Sequence, residues 1–151
     1  MSPMPLPSVH LRPQRIAARC RRGVTMAFME PTEDQIKEVM AGPEGPVVMV
    51  NLLRYKRDDA GNMTGFESYQ KYSEAVTPIL IGVGGEFVSV GRVDSVVIGD
   101  HQWDTVLLIK YPSREAFLGM ITSEEYLAIH HLRADALEDS GLIATTPDTF
   151  I

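Results

Sequence analysis

Three side chains along one predicted helix have the types and spacing to hold a small acid. Tyr126, His130 and Arg133 are spaced i, i+4 and i+7, so they share one helical face. An arginine there can pair with a carboxylate, and a histidine can move a proton near neutral pH. The alternative is a solvated face, with Arg133 bridged to a nearby acid such as Glu125 or Glu138. No motif identifies a reaction, and His130 and Arg133 are the candidates for catalysis.

Other polar and aromatic side chains are candidates for a ligand pocket. Asn51 interrupts an apolar strand, and an unpaired buried amide costs about 1–3 kcal/mol. It is therefore expected to bond either a ligand between two facing sheets or a neighbouring loop or subunit. Tyr69, Tyr72 and Trp103 suit a pocket wall but also core or interface positions, and Arg92 is either a pocket cation or an edge residue. The predicted substrate-binding set is Asn51, Tyr69, Tyr72, Arg92, Trp103, Tyr126 and Arg133.

The histidines do not predict a metal site. His130 and His131 are adjacent and point to different sides of a helix, and neither a second cysteine nor an HExxH motif is present. The acids after residue 57 lack the spacing of an EF-hand calcium loop. A single histidine as an axial heme ligand is a minor alternative. We predict neither a metal nor a cofactor.

The hydrophobic pattern predicts the elements that position these side chains. Thr32 and Gln35 form a capping box for an N-terminal helix, and Thr64 is expected to open a second box, before a helix that Pro78 kinks or ends. The segments from residue 47 onward read strand, helix, strand, strand, helix, strand, at about 47–53, 64–82, 86–98, 103–111, 113–140 and 142–146. Ser113 can cap the last helical segment, which a third capping box at Thr122 restarts after about residue 121. This order predicts an α+β ferredoxin-like βαββαβ fold, with an antiparallel sheet and helices on one face.

The uncovered face of such a sheet predicts a homodimer. We expect Met49, Leu107 and Ile109 to lie on that face, where only a second copy would keep them from water.

Composition narrows the choice of partners. The chain has 151 residues, of which 44% are hydrophobic and 23% charged, as in one ordinary globular domain. Without the first 25 residues, nine lysines and arginines stand against twenty acids, a net charge of −11. Such an acidic body argues against nucleic acid, and no apolar run approaches the ~20 residues of a membrane span. The single cysteine, Cys20, fits a reducing compartment and a cytoplasmic location.

Residues 1–25 form a basic arm that we exclude from the fold. They contain four prolines, five arginines and no acid, and show no sustained hydrophobic period. An extension upstream of a true start at Met26, an organelle transit peptide and a flexible arm all fit this composition, and we favour the first. The predicted domain therefore covers residues 26–151.

A series of residues across the domain is similar to a known family. It comprises residues 48–53, Tyr69, Tyr72, Pro78, Gly84, Gly85, Phe87, Trp103, residues 111–113, residues 123–126 and Arg133. In order and spacing this series resembles the "thirteen-thirty" domain-of-unknown-function family over about residues 46–147. The chain departs from the family in its N-terminal arm and in Tyr111, where phenylalanine is usual.

The resemblance implies a dimeric α/β barrel, in which two ferredoxin-like protomers face each other through their sheets. The family has no settled activity, and related members of the barrel superfamily include cofactor-free monooxygenases, isomerases and heme proteins. Three functions stay open: a cofactor-independent enzyme acting on a small oxygenated organic substrate, a binding or stress-related module, and a purely structural homodimer. A solvent-open pocket lined by at least two of Asn51, Arg92, Trp103, His130 and Arg133 would favour the first.

Overall fold

The structure, a computed structural model, describes residues 30–148. Its elements in chain order are α1 (Glu33–Met40), β1 (Val47–Tyr55), α2 (Phe66–Gly82), β2 (Glu86–Arg92), β3 (Thr105–Tyr111), α3 (Arg114–Ile121), α4 (Glu124–Ala136) and β4 (Leu137–Thr145). The basic arm and Cys20 lie outside the described residues, so the arm stays a prediction.

The four strands form one sheet in the order β2-β3-β1-β4. Every neighbouring pair is antiparallel, and β1 lies in the centre between β3 and β4. With α2 after β1, and α3 and α4 before β4, this is the βαββαβ ferredoxin-like fold that the sequence predicted, and that prediction is confirmed.

Residues of β1 alternate between two environments. Val47, Met49, Asn51, Leu53 and Tyr55 are buried, whereas the residues between them are half-buried. Because side chains alternate along a strand, this buried set points towards the helices. Val47 and Met49 pack in the main core with Leu80 and Phe117, whereas Leu53 and Tyr55 pack in a second cluster with Ala136 and Leu137. We call the two sides of the sheet the helix-facing side and the open face.

The placement of three core residues corrects the sequence analysis. Met49, Leu107 and Ile109 were expected on the open face, but they are 2%, 7% and 7% exposed and belong to the core under the helices. The apolar sequence of β1 does not indicate which of its two faces packs under the helices, because both faces carry aliphatic side chains. The open face instead presents the side chains at the alternate strand positions. These are Val48, Val50, Leu52, Val106, Leu108 and Ile143, which pair with one another or occupy equivalent positions in the strand register.

Helix starts follow the predicted capping chemistry in two of four places. Thr32 and Gln35 form the predicted capping box and Ser113 caps α3, but Ser123, rather than the predicted Thr122, caps α4. The predicted cap at Thr64 is wrong: Gly65 takes the N-cap position of α2, and the Thr64 hydroxyl donates to the carbonyl of Lys56. A Cβ on Gly65 would lie 1.9 Å from a backbone oxygen of Ala136, so only glycine fits there.

Several element boundaries differ from the expected ones, and three of these differences have a clear cause. β2 ends at Arg92 rather than near residue 98, since its ladder to β3 stops at Thr105, and its register shifts between Phe87 and Ser89. β4 begins at Leu137 directly after α4, with Gly141 inside the strand rather than before it. α2 continues past Pro78 to Gly82, because its apolar stripe still packs into the core on both sides of that residue.

Candidate functional site

A cavity of about 960 Å³ lies between the helix-facing side of the sheet and the helices. The sheet contributes Met49, Leu107 and Ile109 to its walls, and α2 contributes Val76 and Leu80. Ligand sites in proteins commonly occupy about 300–1,000 Å³ and combine apolar walls with a few polar groups. We call this space the main cavity.

Helix α4 directs three polar side chains into the main cavity. The Ser123 hydroxyl accepts from the backbone N–H of Tyr126, which fixes where the helix begins and therefore which face it presents. Tyr126, His130 and Arg133 all line the cavity, and Arg133 is only 9% exposed. Glu138 lies 2.5 Å from Arg54 Nε, an ion pair without hydrogen-bond geometry.

A group of neutral tyrosines surrounds Arg133. The rings of Tyr69 and Tyr72 lie 5.5 Å apart on α2, and both line the main cavity. Burial raises the pKa of Tyr69, and the nearby charge of Arg133 works in the opposite direction. Burial also raises the pKa of Tyr72 well above its usual range, followed by the effect of a hydrogen bond with Tyr126. These hydroxyls therefore stay protonated at neutral pH and add no negative charge beside the guanidinium.

Asn51 brings an amide to the floor of the main cavity. Its Nδ2 donates to the carbonyls of Met49 and Leu107, each at 3.4 Å, which is long for a hydrogen bond. Its side chain is on the helix-facing side of β1, so the expected position between two facing sheets is wrong. Among residues 30–148 the Oδ1 of Asn51 accepts no hydrogen bond, which leaves an acceptor for a ligand in the cavity.

His130 contacts a carboxylate at the edge of the main cavity. Its Nε2 lies 2.8 Å from a carboxylate oxygen of Glu30, and its ring lies 6.1 Å from that of Tyr126. With Nε2–H directed at the carboxylate, Nδ1 is the nitrogen that can accept a proton. A histidine held in one orientation in this way suits proton transfer.

Two predicted pocket residues lie elsewhere. Arg92 ends the edge strand β2 with its side chain 87% exposed and its Nε 3.7 Å from Asp94, and it contacts only a second, smaller cavity. Trp103 lines neither cavity, because it lies in the loop before β3, where it stacks on His101 at 4.1 Å. The nearby Asp139 carboxylate is 3.1 Å from that histidine.

Arg114 is a cavity residue that the sequence analysis missed. It is 6% exposed and donates to the carbonyl of Pro43 and to the Thr146 hydroxyl at 3.1 Å. Arg114 thus links the start of α3 to the loop before β1 and to the segment after β4. The available signal was a cation in the first turn of a helix, where the helix dipole disfavours positive charge unless another contact holds it.

Two kinds of feature are absent from residues 30–148. No group of three or more histidine, cysteine, aspartate and glutamate side chains has the geometry to hold a metal ion. No helix in this part of the chain is long and apolar enough to cross a membrane.

The sequence matches a family described as "Domain of unknown function (DUF1330)" over residues 60–146. This match confirms the resemblance seen in the sequence. No curated protein matches the chain.

Solved structures place the fold among known proteins. A protein of unknown function from Rhodopseudomonas palustris, a structural genomics target, is 32% identical, with a TM-score of 0.72 over 81% of this chain and 98% of its own. A protein from Arabidopsis thaliana matches with a TM-score of 0.53 and 14% identity, over 70% of this chain and 98% of its own. A dabb family protein with a ferredoxin-like fold from Mesorhizobium loti matches with a TM-score of 0.50 and 14% identity, over 68% and 97%. The last two similarities concern the fold alone.

Proposed function

The chain belongs to the DUF1330 family of domains of unknown function, and from its main cavity we propose that it binds a small organic anion. Arg133 carries this proposal, because it is a cation with 9% exposure in the cavity wall. Arginine stays charged at every physiological pH and can grip a carboxylate or enolate through two parallel hydrogen bonds. The neutral hydroxyls of Tyr69 and Tyr72 would add further donors.

The cavity also meets the condition set for an oxygenated substrate. Of the five polar residues named for that purpose, Asn51, His130 and Arg133 line it. They come from opposite walls, the first from β1 and the other two from α4. A ligand with a carboxylate at Arg133 can thus meet an acceptor at the Asn51 amide. A purely structural protein does not require this convergence of polar groups under the helices.

Calorimetry with butyrate tests the anchor. Arg133→Met should weaken binding at least tenfold, whereas Arg133→Lys should weaken it less, because lysine keeps the charge and loses only the fork. Far-UV circular dichroism should stay unchanged in both variants. If Arg133→Met binds butyrate as well as the natural chain does, the proposal is wrong. If this variant unfolds while Arg133→Lys is stable and binds no more weakly, the arginine is structural.

Catalysis is a second candidate, favoured by the contact between His130 and Glu30. In a bound 2-oxo acid, His130 Nδ1 would take a proton from the carbon next to the ketone, and the C–H electron pair would form an enolate that Arg133 stabilises. Deuterium exchange at C3 of 2-oxobutanoate, followed by NMR, tests this. His130→Gln should slow exchange about 10²–10⁴-fold with binding unchanged. Exchange no faster than in buffer would leave a binding protein without turnover.

We also propose that the chain forms a symmetric homodimer through the open face. Val50, Leu52 and Leu108 lie side by side there and would be covered by the same patch of a second copy. Each such side chain contributes roughly 1.5–3 kcal/mol when it is fully buried. The main cavity lies on the other side of the sheet, so each protomer would keep its own binding site.

A further inference from the structure

A second cavity of about 580 Å³ adjoins the main one on the helix-facing side. The two share four wall residues: Tyr69 and Ser73 from α2, Phe87 from β2, and Leu107 from β3. They are therefore two chambers of one trough between α2 and the sheet. We call the second one the side chamber.

The side chamber is walled by large apolar side chains that remain open to solvent. Met63, Phe66, Phe87 and Val90 are 48%, 43%, 40% and 67% exposed, and all four line this one space. Single exposed apolar residues are common on protein surfaces, but four around one concave space mark a site for an apolar group. An aromatic series joins the chambers, with ring distances of 5.3 Å from Phe66 to Tyr55 and 5.5 Å from Tyr55 to Tyr69.

Two polar residues of the side chamber, Asp104 and Thr105, already have protein partners. Asp104 accepts from Arg57 and from the backbone N–H of Tyr55, and the Thr105 hydroxyl lies 3.0 Å from that of Tyr55. These contacts leave little unmet polarity at Asp104 and Thr105 for a ligand to satisfy. The side chamber thus favours a hydrocarbon or aryl group, in contrast to the polar end of the main cavity at Arg133.

We infer that the ligand is an amphiphilic carboxylic acid, with its head group at Arg133 and its apolar tail in the side chamber. This inference rests on the proposed anion site and adds the class of ligand to it. The shared wall residues make the two ends continuous, and the aromatic series gives the tail an apolar path between them. The tail supplies affinity in proportion to the area it buries, while the carboxylate sets its orientation.

Calorimetry with butyrate, hexanoate and octanoate tests the inference on the full chain. Each buried methylene is worth about 0.8 kcal/mol, so affinity should rise about fourfold per methylene and roughly two-hundredfold from butyrate to octanoate. Val90→Asp puts a charge in the side chamber and should remove this gain while leaving butyrate binding unchanged. Val88→Asp is the matched control, since Val88 lies on the same strand, is 53% exposed and lines neither chamber.

The outcomes separate the head group from the tail. Affinity that does not depend on chain length, or a length dependence that Val90→Asp leaves intact, overturns the inference while the Arg133 site stands. Octanoate binding that falls with Val90→Asp but not with Arg133→Met keeps the side chamber as an apolar site and overturns the anion anchor. If none of the three acids binds at millimolar concentration, both proposals are wrong.

Discussion

On β1, neighbouring residues enter two different surroundings. Leu53 faces the helices and has no exposed surface, whereas Leu52, one position earlier, is half-buried on the open face beside Gly141 of β4. The helix-facing side contains the core, both cavities and the buried polar residues Asn51 and Arg133. The open face carries mainly aliphatic side chains.

This contrast assigns chemistry and assembly to opposite sides of the sheet. Polar groups on the helix-facing side of β1 lie under α2 and α4, where they line the main cavity. The open face has no helix over it, and a second copy of the same sheet is the cover that we propose. Mutations on one side should therefore leave the other side's property unchanged, and this independence can be measured.

The largest effect is expected from a charge at the centre of the open face. Val50→Asp would place an unpaired carboxylate in the proposed interface, at about 3–5 kcal/mol, and twofold symmetry introduces it twice. The dimer dissociation constant should rise roughly ten-thousandfold or more. Analytical ultracentrifugation at micromolar concentration should show a monomer that still binds butyrate.

The control for this change is a substitution on helix α2. Ile81→Asp alters an equally apolar side chain that is 61% exposed at the end of α2, and it should leave the dimer intact. A natural chain that sediments as a folded monomer would refute the proposed interface, and a Val50→Asp dimer would place it elsewhere.

The next effect compares Leu53 with Leu52 in the monomeric Val50→Asp chain. Leu53→Ala leaves a hole in a fully buried cluster and should lower the free energy of unfolding by about 2–5 kcal/mol. Leu52→Ala removes a half-buried side chain and should cost about 1 kcal/mol. Urea denaturation measures both values, and equal losses would contradict the assignment of the two faces.

The order and type of the elements were predictable because they follow from local patterns. Hydrophobic runs, capping residues such as Thr32 and stop signals act within a few residues of chain. The face of a central strand was not predictable in this way. β1 is aliphatic on both sides, and the face that turns towards the helices is decided by residues distant in sequence, such as Leu80 and Phe117. Met49 was assigned to the wrong face for this reason.

The candidate site shows the same division. Tyr126, His130 and Arg133 were grouped correctly because helical spacing alone puts them on one face. Trp103 and Arg92 were grouped with them on residue type, although a loop and a strand end do not fix the direction of a side chain as a helix does. Arg114 was missed because its burial depends on Pro43 and Thr146, which are remote in sequence.

A smaller, pH-dependent effect should come only from the helix-facing side. Burial raises the pKa of Tyr69, Tyr72 and Tyr111, whereas the unfolded chain keeps ordinary tyrosines with a pKa near 10. The folded state therefore holds these protons more tightly. Its stability is complete below pH ~10 and falls above it, by up to about 1.4 kcal/mol per pH unit for each tyrosine.

A pH titration that measures tyrosinate absorbance together with circular dichroism checks this expectation. Part of the absorbance change should appear only as the chain unfolds, and Tyr72→Phe should make the loss of stability less steep. No tyrosine shares the parity of the open face, so the Val50→Asp monomer should show the same titration. Ionisation of all five tyrosines near pH 10 in the folded chain would mean that this side of the sheet is open to water.

The smallest effect is expected from removing residues 1–25. Their four prolines, five arginines and lack of hydrophobic period give them no face to bury against either side of the sheet. A chain that begins at Met26 should melt within about two degrees of the full chain, which corresponds to at most about 1 kcal/mol for a protein of this size. Octanoate affinity reports on the helix-facing side, and sedimentation reports on the open face. A loss confined to octanoate binding would mean that the arm contributes to the trough, whereas a loss confined to the dimer would mean that it contributes to the interface. If neither octanoate binding nor the dimer is lost, the two faces of the domain are sufficient for both properties without the arm.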